Sequence, residues 1–250
     1  MSGRLTIVGL GPGAQGLIAP EASLAIDQAS DILGYIPYVR RIAPRAGLVL
    51  HESDNREELD RAHHAIRLAQ AGKRVVVVSS GDPGVFAMAA AVFEALETIA
   101  PADHPEISVI PGITAMLAAA ARVGAPLGHD FCAINLSDNL KPAEVICHRI
   151  RHAALGGFAM GFYNPRSASR PDGFARALDV LRDTCEPSRI IIFARAISTP
   201  DETILITSLA EAREDMADMR TVVLIGNPQS RCIKGRDGDW VYTPRNWVQP

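Results

Sequence analysis

Three times in the first half of the chain, an apolar run of strand-forming residues ends in glycine and proline and then leads into a helical segment. Strands that alternate with helices form parallel sheets, and open parallel sheets bind ligands at the carboxyl ends of their strands. The sequence therefore predicts an α/β fold whose three connecting loops lie at the same edge of a sheet. We refer to them as the first, second and third loops, with the sequences Gly9-Leu10-Gly11-Pro12-Gly13, Ser80-Gly81-Asp82-Pro83-Gly84 and Pro111-Gly112-Ile113-Thr114.

A second domain is predicted by a change in composition near the middle of the chain. Gly124-Ala125-Pro126-Leu127-Gly128 consists mostly of turn-forming residues, so an N-terminal α/β domain with a mostly parallel sheet is predicted over residues 1–127. Strands outnumber helices after it, which predicts an α/β domain with a mixed sheet over residues 128–240. The chain beyond Ser230 is polar, and we expect it to be loosely held, with a tail over residues 241–250.

The charge balance argues against a nucleic-acid partner. The chain carries 25 lysines and arginines against 28 aspartates and glutamates, whereas nucleic-acid binders usually show a basic patch or excess. The four cysteines form no C-x-x-C pair and have no histidine cluster near them, so we expect neither a metal site nor disulfide bonds. A signal-type N-terminus and an apolar stretch of membrane-spanning length are both missing, which predicts a cytoplasmic protein that does not enter a membrane.

The ligand at the three loops is predicted to lack phosphate groups. No lysine or arginine occurs between residues 5 and 39 or between residues 75 and 121, whereas phosphate sites commonly use one. The first loop also departs from the dinucleotide fingerprint, because Pro12 interrupts it and its third glycine comes one position early. The acidic residue at the expected distance, Asp31, precedes its apolar run and so stands at the start of a strand. A dinucleotide site and a purely structural turn are the alternatives.

The three loops together with Gly226-Asn227, in this order and spacing, resemble the tetrapyrrole methylases that use S-adenosylmethionine. Further motifs resemble, within that family, the C17-methyltransferases of cobalamin synthesis. They are Tyr35-x-x-Tyr38, Gly128-His129-Asp130-Phe131, Leu136-Ser137-Asp138, Tyr163-Asn164-Pro165-Arg166-Ser167 and Thr199-Pro200-Asp201-Glu202-Thr203. The resemblance covers about residues 4 to 230, and its strength lies in the ordered set of motifs.

This resemblance implies two α/β domains, the tetrapyrrole methylase fold of the class III S-adenosylmethionine methyltransferases, with the cofactor in the cleft between them. It also implies a homodimer and a small-molecule tetrapyrrole substrate. The implied reaction transfers a methyl group to C17 with contraction of the macrocycle, and S-adenosylhomocysteine is the cofactor product. The cofactor-binding residues implied by the resemblance are Gly11, Pro12, Ser80, Gly81, Asp82, Thr114, Ala115, Asn164 and Ala196.

Contraction of the ring requires a group that moves a proton to or from a ring oxygen. The candidates are Asp82, His129, Asp130 and Asp138. Each has a structural alternative: Asp82 precedes Pro83 as a helix cap does, and Asp138 suits a turn. His129 is equally suited to a structural hydrogen bond, although its unperturbed pKa of about 6.5 fits proton transfer.

The carboxylates of a tetrapyrrole predict cationic groups beside the substrate, because a guanidinium binds a carboxylate through two hydrogen bonds. The candidate substrate-binding residues are Tyr35, Arg40, Arg166 and Arg195. The alternative for the arginines is that they are solvated surface charges. Other functions left open are methylation of a cobalt-containing ring, methylation of RNA or protein by the same fold, non-catalytic tetrapyrrole binding, and nicotinamide-dependent oxidoreduction.

Overall fold

The computed structural model describes residues 3–236 and 238–246. The chain folds into two compact units, of which the first ends at Thr114 and the second begins at Ala115. The domain boundary that the composition places after residue 127 stays a prediction. Within the described residues, none of the helices combines the length and the apolar character that a membrane span requires.

The first unit alternates strands with helices along most of its length. Its strands are β1 (Arg4–Gly9), β2 (Asp31–Tyr35), β3 (Val49–Ser53), β4 (Arg74–Ser79) and β5 (Glu106–Ile110). Its helices are α1 (Pro20–Gln28), α2 (Ile36–Val39), α3 (Glu58–Gln70) and α4 (Met88–Leu96). Pro20 occupies the first turn of α1, where its missing N–H costs no helical hydrogen bond.

The five strands of the first unit pair in parallel, in the order β3-β2-β4-β1-β5. The central strands β1 and β4 are apolar because helices cover both faces of the sheet. Leu5 and Ile7 pack with α3 and α4 on one face, whereas Val8 packs with α1 on the other. This confirms the predicted α/β fold, and it brings the carboxyl ends of all five strands to one edge.

The second unit also combines strands with helices. Its strands are β6 (Gly124–Ala125), β7 (Phe131–Asn135), β8 (Ala159–Tyr163), β9 (Ile190–Arg195), β10 (Thr203–Ser208), β11 (Thr221–Ile225), β12 (Arg231–Lys234) and β13 (Asp239–Tyr242). Its helices are α5 (Ala115–Val123), α6 (Ala143–Leu155) and α7 (Gly173–Thr184). Phe162, Phe174 and Ile150 are fully buried where α6 and α7 pack on the larger sheet.

The larger sheet of the second unit is mixed, with the order β10-β9-β11-β8-β7. Strand β7 pairs with β8 in parallel, and the other pairs are antiparallel. Because β9 and β8 are each antiparallel to β11, the strands β7, β8 and β9 all point the same way. Their carboxyl ends, at Asn135, Tyr163 and Arg195, therefore lie at one edge of this sheet.

The residues after Ser230 that the structure describes are held in two strands. Strand β13 pairs with β12 and, in parallel, with β6. Val241 is fully buried in a cluster that includes residues of α5, and Thr243 is also buried. The expectation of a loose segment is therefore wrong. The segment has too few apolar residues to show a strand pattern in the sequence, but it pairs as strands and buries the whole side chain of Val241. Residues 247–250 of the predicted tail lie outside the described residues.

Candidate functional site

The backbones of the first and second loops are joined at the carboxyl edge of the first sheet. The N–H of Gly81 donates to the carbonyl of Gly11 at 2.9 Å, and the N–H of Gly11 donates back to the carbonyl of Gly81 at 3.2 Å. Gly11 and Gly81 have φ angles of 65° and 62°, which glycine adopts without the steric cost of a side chain. The two loops are therefore joined directly through their backbones.

The third loop packs against the same pair of loops. A Cβ on Gly9 would lie 2.9 Å from the backbone nitrogen and Cα of Gly112, which is closer than the 3.0 Å that real Cβ contacts respect. The backbones approach this closely only because both residues are glycine. The prediction that the three loops lie at one edge of the sheet is confirmed.

The carboxylate of Asp82 links the second loop to the third. Its Oδ2 accepts a hydrogen bond from the N–H of Gly112 at 3.0 Å, and its Oδ1 accepts one from the N–H of Gly84 at 2.8 Å. The alternative that Asp82 caps a helix is wrong, because α4 begins only at Met88. The intervening Phe86 has a φ of 54°, which is incompatible with an earlier start of a right-handed helix.

Two tyrosines from the end of β2 and from α2 stand beside the second loop. The phenol of Tyr38 lies beside the hydroxyl of Ser80, and the rings of Tyr35 and Tyr38 meet edge to face with centroids 5.3 Å apart. Burial, assisted by the neighbouring Tyr35, raises the pKa of Tyr38 above its ordinary value. The phenol of Tyr38 is therefore protonated at neutral pH.

Arg41, two residues after α2, reaches the first loop. Its Nη2 donates to the carbonyl oxygen of Leu10 at 2.9 Å and to that of Gly13 at 3.1 Å. The loops contain no cation of their own, yet the fold brings one to the first loop from a distant position. The sequence candidate Arg40 points to a different partner, Glu52 on β3, with its Nε 3.2 Å from the carboxylate.

Arg61 on α3 is a buried cation at the same edge of the sheet, with 4% of its surface exposed. Its Nε donates to the hydroxyl of Ser53 at 2.7 Å, its Nη2 to the carbonyl of Asp54 at 2.6 Å, and its Nη1 lies 3.1 Å from the sulfur of Met88. Burial lowers the pKa of Arg61 below its ordinary value. Arg61 thereby ties the end of β3 to the start of α4.

In the second unit, Asn164 and Ala196 follow β8 and β9 at the carboxyl edge of the mixed sheet. Both have positive φ angles, 53° and 49°, although neither is glycine. The Nδ2 of Asn164 donates at 3.0 Å to the Oδ1 of Asn135, which also accepts the N–H of Ser137 at 2.9 Å. Residues with a side chain pay a steric cost in this conformation, and such residues cluster at functional sites.

The fold separates the catalytic candidates of the second unit. Asp138 follows β7 at the same edge as Asn164, where its Oδ2 lies 3.0 Å from Nη2 of Arg176 on α7. His129 and Asp130 precede β7 and so lie at its opposite end. The Nδ1 of His129 accepts the N–H of Asp130 at 2.8 Å and lies 3.5 Å from the Oδ2 of the same residue.

The two arginine candidates of the second unit differ in their surroundings. Arg195 ends β9 and its Nε lies 2.7 Å from Oδ2 of Asp218. Burial alone would raise the pKa of Asp218, but hydrogen bonds from Arg195 and Thr221 lower it below its ordinary value. Arg166, in the loop after β8, is partly buried and makes no hydrogen bond or ion pair with the residues that the structure describes.

The remaining cofactor candidates continue the three loops. Pro12 is partly buried in the first loop, Thr114 is buried at the end of the third, and Ala115 is the first residue of α5. Sequence reasoning missed the roles of Arg41 and Arg61. An arginine on the apolar face of α3, among Ala62, Ala65 and Ile66, was the one local signal for Arg61.

The chain was compared with protein families and with curated relatives. The model of the family described as Tetrapyrrole (Corrin/Porphyrin) Methylases matches residues 4–213. The chain is 51% identical to a precorrin-3B C(17)-methyltransferase from a Sinorhizobium species, over 98% of this chain and 97% of that protein. It is 38% identical to a probable cobalt-factor III C(17)-methyltransferase from Salmonella typhimurium, over 98% of this chain and 99% of that protein.

Solved structures give the same picture of the fold. The crystal structure of the methyltransferase CobJ superposes with a TM-score of 0.93 at 63% sequence identity. The match covers 97% of this chain and 100% of that one. A uroporphyrin-III C-methyl transferase from Thermus thermophilus, complexed with S-adenosyl homocysteine, superposes with a TM-score of 0.67 at 23% identity, over 90% of this chain and 92% of that one. The second likeness concerns the fold alone.

Proposed function

The chain belongs to the tetrapyrrole (corrin/porphyrin) methylases, and we propose that it transfers the methyl group of S-adenosylmethionine to C17 of precorrin-3B in cobalamin biosynthesis. The observation that carries this proposal is the 51% identity to a precorrin-3B C(17)-methyltransferase over nearly the whole of both chains. Contraction of the macrocycle accompanies the methylation, and precorrin-4 is the product.

The three loops of the first unit fit S-adenosylmethionine. Their backbones are held together by the glycines and by Asp82, and backbone groups at such an edge suit the carboxylate, amine and hydroxyl groups of the cofactor. We propose that Gly11, Pro12, Ser80, Gly81, Asp82 and Thr114 bind it. S-Adenosylmethionine supplies an electrophilic methyl group when bound, and the loops contribute orientation, which is the main requirement of a displacement reaction.

We propose that Ala115, Asn164 and Ala196 of the second unit also bind the cofactor. The positive φ angles of Asn164 and Ala196 support this assignment, since a strained backbone persists only where the surrounding structure enforces it. The hydrogen bond from Asn164 to Asn135 fixes the direction of the amide.

Asp138 is the proton-transfer group that the geometry favours. It lies at the strand edge that carries Asn164 and Ala196, whereas His129 and Asp130 lie at the other end of β7. Asp82 is less suited, because both of its carboxylate oxygens accept backbone hydrogen bonds. We assign Asp82 the task of holding the second and third loops.

Arg166 is the favoured partner for a carboxylate of the tetrapyrrole, because its guanidinium has no hydrogen-bonding or ionic partner among the described residues. Arg40 and Arg195 would first have to exchange Glu52 and Asp218 for the substrate. Tyr35 presents an aromatic ring beside Tyr38 and suits contact with the macrocycle.

A dinucleotide is a poor fit to the first unit. Asp31 begins β2, at the edge away from the loops, and its carboxylate lies 2.9 Å from Nε2 of His51. A ribose-binding acid belongs at the opposite end of that strand.

We further propose that the protein acts as a homodimer in the cytoplasm. Sedimentation of the purified protein tests the assembly.

The function is tested by calorimetric titration with S-adenosylhomocysteine and with NAD, followed by assays on precorrin-3B and on cobalt-factor III. We expect binding of S-adenosylhomocysteine alone, and turnover of the metal-free ring. The second candidate, a cobalt-factor III methyltransferase, is favoured by the 38% identity to such a relative and would be established by turnover of the cobalt-containing ring only. Binding of NAD alone would overturn both.

A further inference from the structure

The segment from Tyr35 to Arg41 contacts two of the three loops, although it belongs to none of them. Arg41 donates hydrogen bonds to the carbonyls of Leu10 and Gly13 in the first loop, and the phenol of Tyr38 lies beside Ser80 of the second. The N–H of Arg41 also donates to the carbonyl of Tyr38 at 3.1 Å. Tyr38 and Arg41 therefore lie one helical turn apart on the same face of the segment.

The first loop needs support of this kind. Glycine has the largest conformational freedom of any residue, and this loop has three glycines in five positions. The reciprocal hydrogen bonds with Gly81 fix Gly11, and the Arg41 guanidinium fixes the carbonyls on either side, at Leu10 and Gly13. Hydrogen bonds from a charged donor are stronger than those between neutral groups.

We propose that Tyr38 and Arg41 form a clamp that holds the first and second loops in the conformation that binds S-adenosylmethionine. Both are positioning residues, because Arg41 acts through the backbone of the first loop and Tyr38 through its contact with Ser80. A loop that is ordered before its ligand arrives loses less conformational entropy on binding, so the clamp raises affinity for the cofactor. The identity of the ligand rests on the proposed function.

The test compares Arg41→Ala with Arg45→Ala. Arg45 is a matched control, because its Nη2 also donates to two backbone carbonyls, those of Ile26 at 2.8 Å and Ala29 at 2.7 Å at the end of α1. Both substitutions remove a guanidinium that ties down backbone, so both should lower Tm. Only Arg41→Ala should weaken the binding of S-adenosylhomocysteine, by about tenfold, and raise the KM for S-adenosylmethionine with little change in kcat.

Tyr38→Phe provides a second variant that removes one oxygen and keeps the ring. We expect the Kd for S-adenosylhomocysteine to rise about threefold, because the substitution removes the polar contact beside Ser80. The clamp is refuted if Arg41→Ala and Tyr38→Phe both bind within about twofold of the wild type, or if Arg45→Ala weakens binding as much as Arg41→Ala. Failure of the wild-type protein to bind S-adenosylhomocysteine would instead overturn the proposed function, and the clamp with it.

Discussion

The carboxylate of Asp82 accepts a hydrogen bond from the N–H of Gly112 at 3.0 Å, and this bond joins loops that are 30 residues apart in the chain. A carboxylate acceptor makes the bond stronger than one between neutral groups. The second and third loops are therefore positioned together, as the first and second are through Gly11 and Gly81.

Replacing Asp82 with Ala removes both of its hydrogen bonds and leaves the N–H groups of Gly84 and Gly112 without their acceptor. We expect the free energy of unfolding to fall by about 1–3 kcal/mol, and the affinity for S-adenosylhomocysteine to fall with it. Urea unfolding and calorimetry measure the two effects. Asp27→Ala, an exposed position on α1, is the control. A variant with the stability and affinity of the wild type would show that the bond is dispensable.

Gly112→Ala should disrupt the packing of the loops. The new Cβ would lie 2.9 Å from the Cα of Gly9, so the backbones must separate, which costs about 1–3 kcal/mol. Gly16→Ala is the matched control, because no atom lies within 4 Å of the Cβ it would add. Thermal unfolding of both variants, with titration of S-adenosylhomocysteine, measures the difference. Equal Tm values for the two would contradict the close approach.

Asp31 should make the free energy of unfolding depend on pH. Burial alone would raise its pKa, but hydrogen bonds from His51 and Ser30 lower it below the ordinary value of 3.8. A carboxyl whose pKa is lower in the folded state stabilises the protein above its unfolded pKa, and this stability is lost as the pH falls through the folded pKa.

Urea unfolding of the wild type and of Asp31→Asn should therefore differ most at about pH 5 and converge as the pH falls below about 4. Asp27→Asn, at an exposed position, should show no such convergence. A difference between the wild type and Asp31→Asn that is the same at about pH 5 and about pH 3 would mean that this carboxyl is not the titrating group.

Asp138→Ala should lower turnover by about a hundredfold or more while the Kd for S-adenosylhomocysteine stays near the wild-type value, since a proton-transfer group acts on the rate. The control is Asp179→Ala, which likewise breaks an ion pair to an arginine of α7, that between Asp179 and Arg182 at 3.3 Å. Steady-state kinetics on the tetrapyrrole substrate measure the turnover of both variants. If Asp138→Ala has turnover close to that of Asp179→Ala, another of the candidates must transfer the proton.

Four of the five strands of the first unit, all except β3, could be predicted from the sequence because their pattern is local. Residues 75–78 are four consecutive valines, a run that is typical of a strand buried on both faces. Pro20 marks the start of α1. Strand β3 was not predicted. It lies at the edge of the sheet, its residues are mostly polar or half exposed, and its pairing with β2 is what makes it a strand.

The ordered glycine and proline motifs determined the family, the fold and the loops that form the candidate site, because each motif encodes a backbone conformation that few other residues allow. Tertiary structure decided which side chains serve those loops. Arg41 is 28 residues from Gly13 in the sequence, and the hydrogen bond of the Asp82 carboxylate to Gly112 is visible only in the structure. The fold likewise places Asp138 and His129 at opposite ends of strand β7. Such pairings depend on long-range packing of helices and strands, which local sequence patterns do not record.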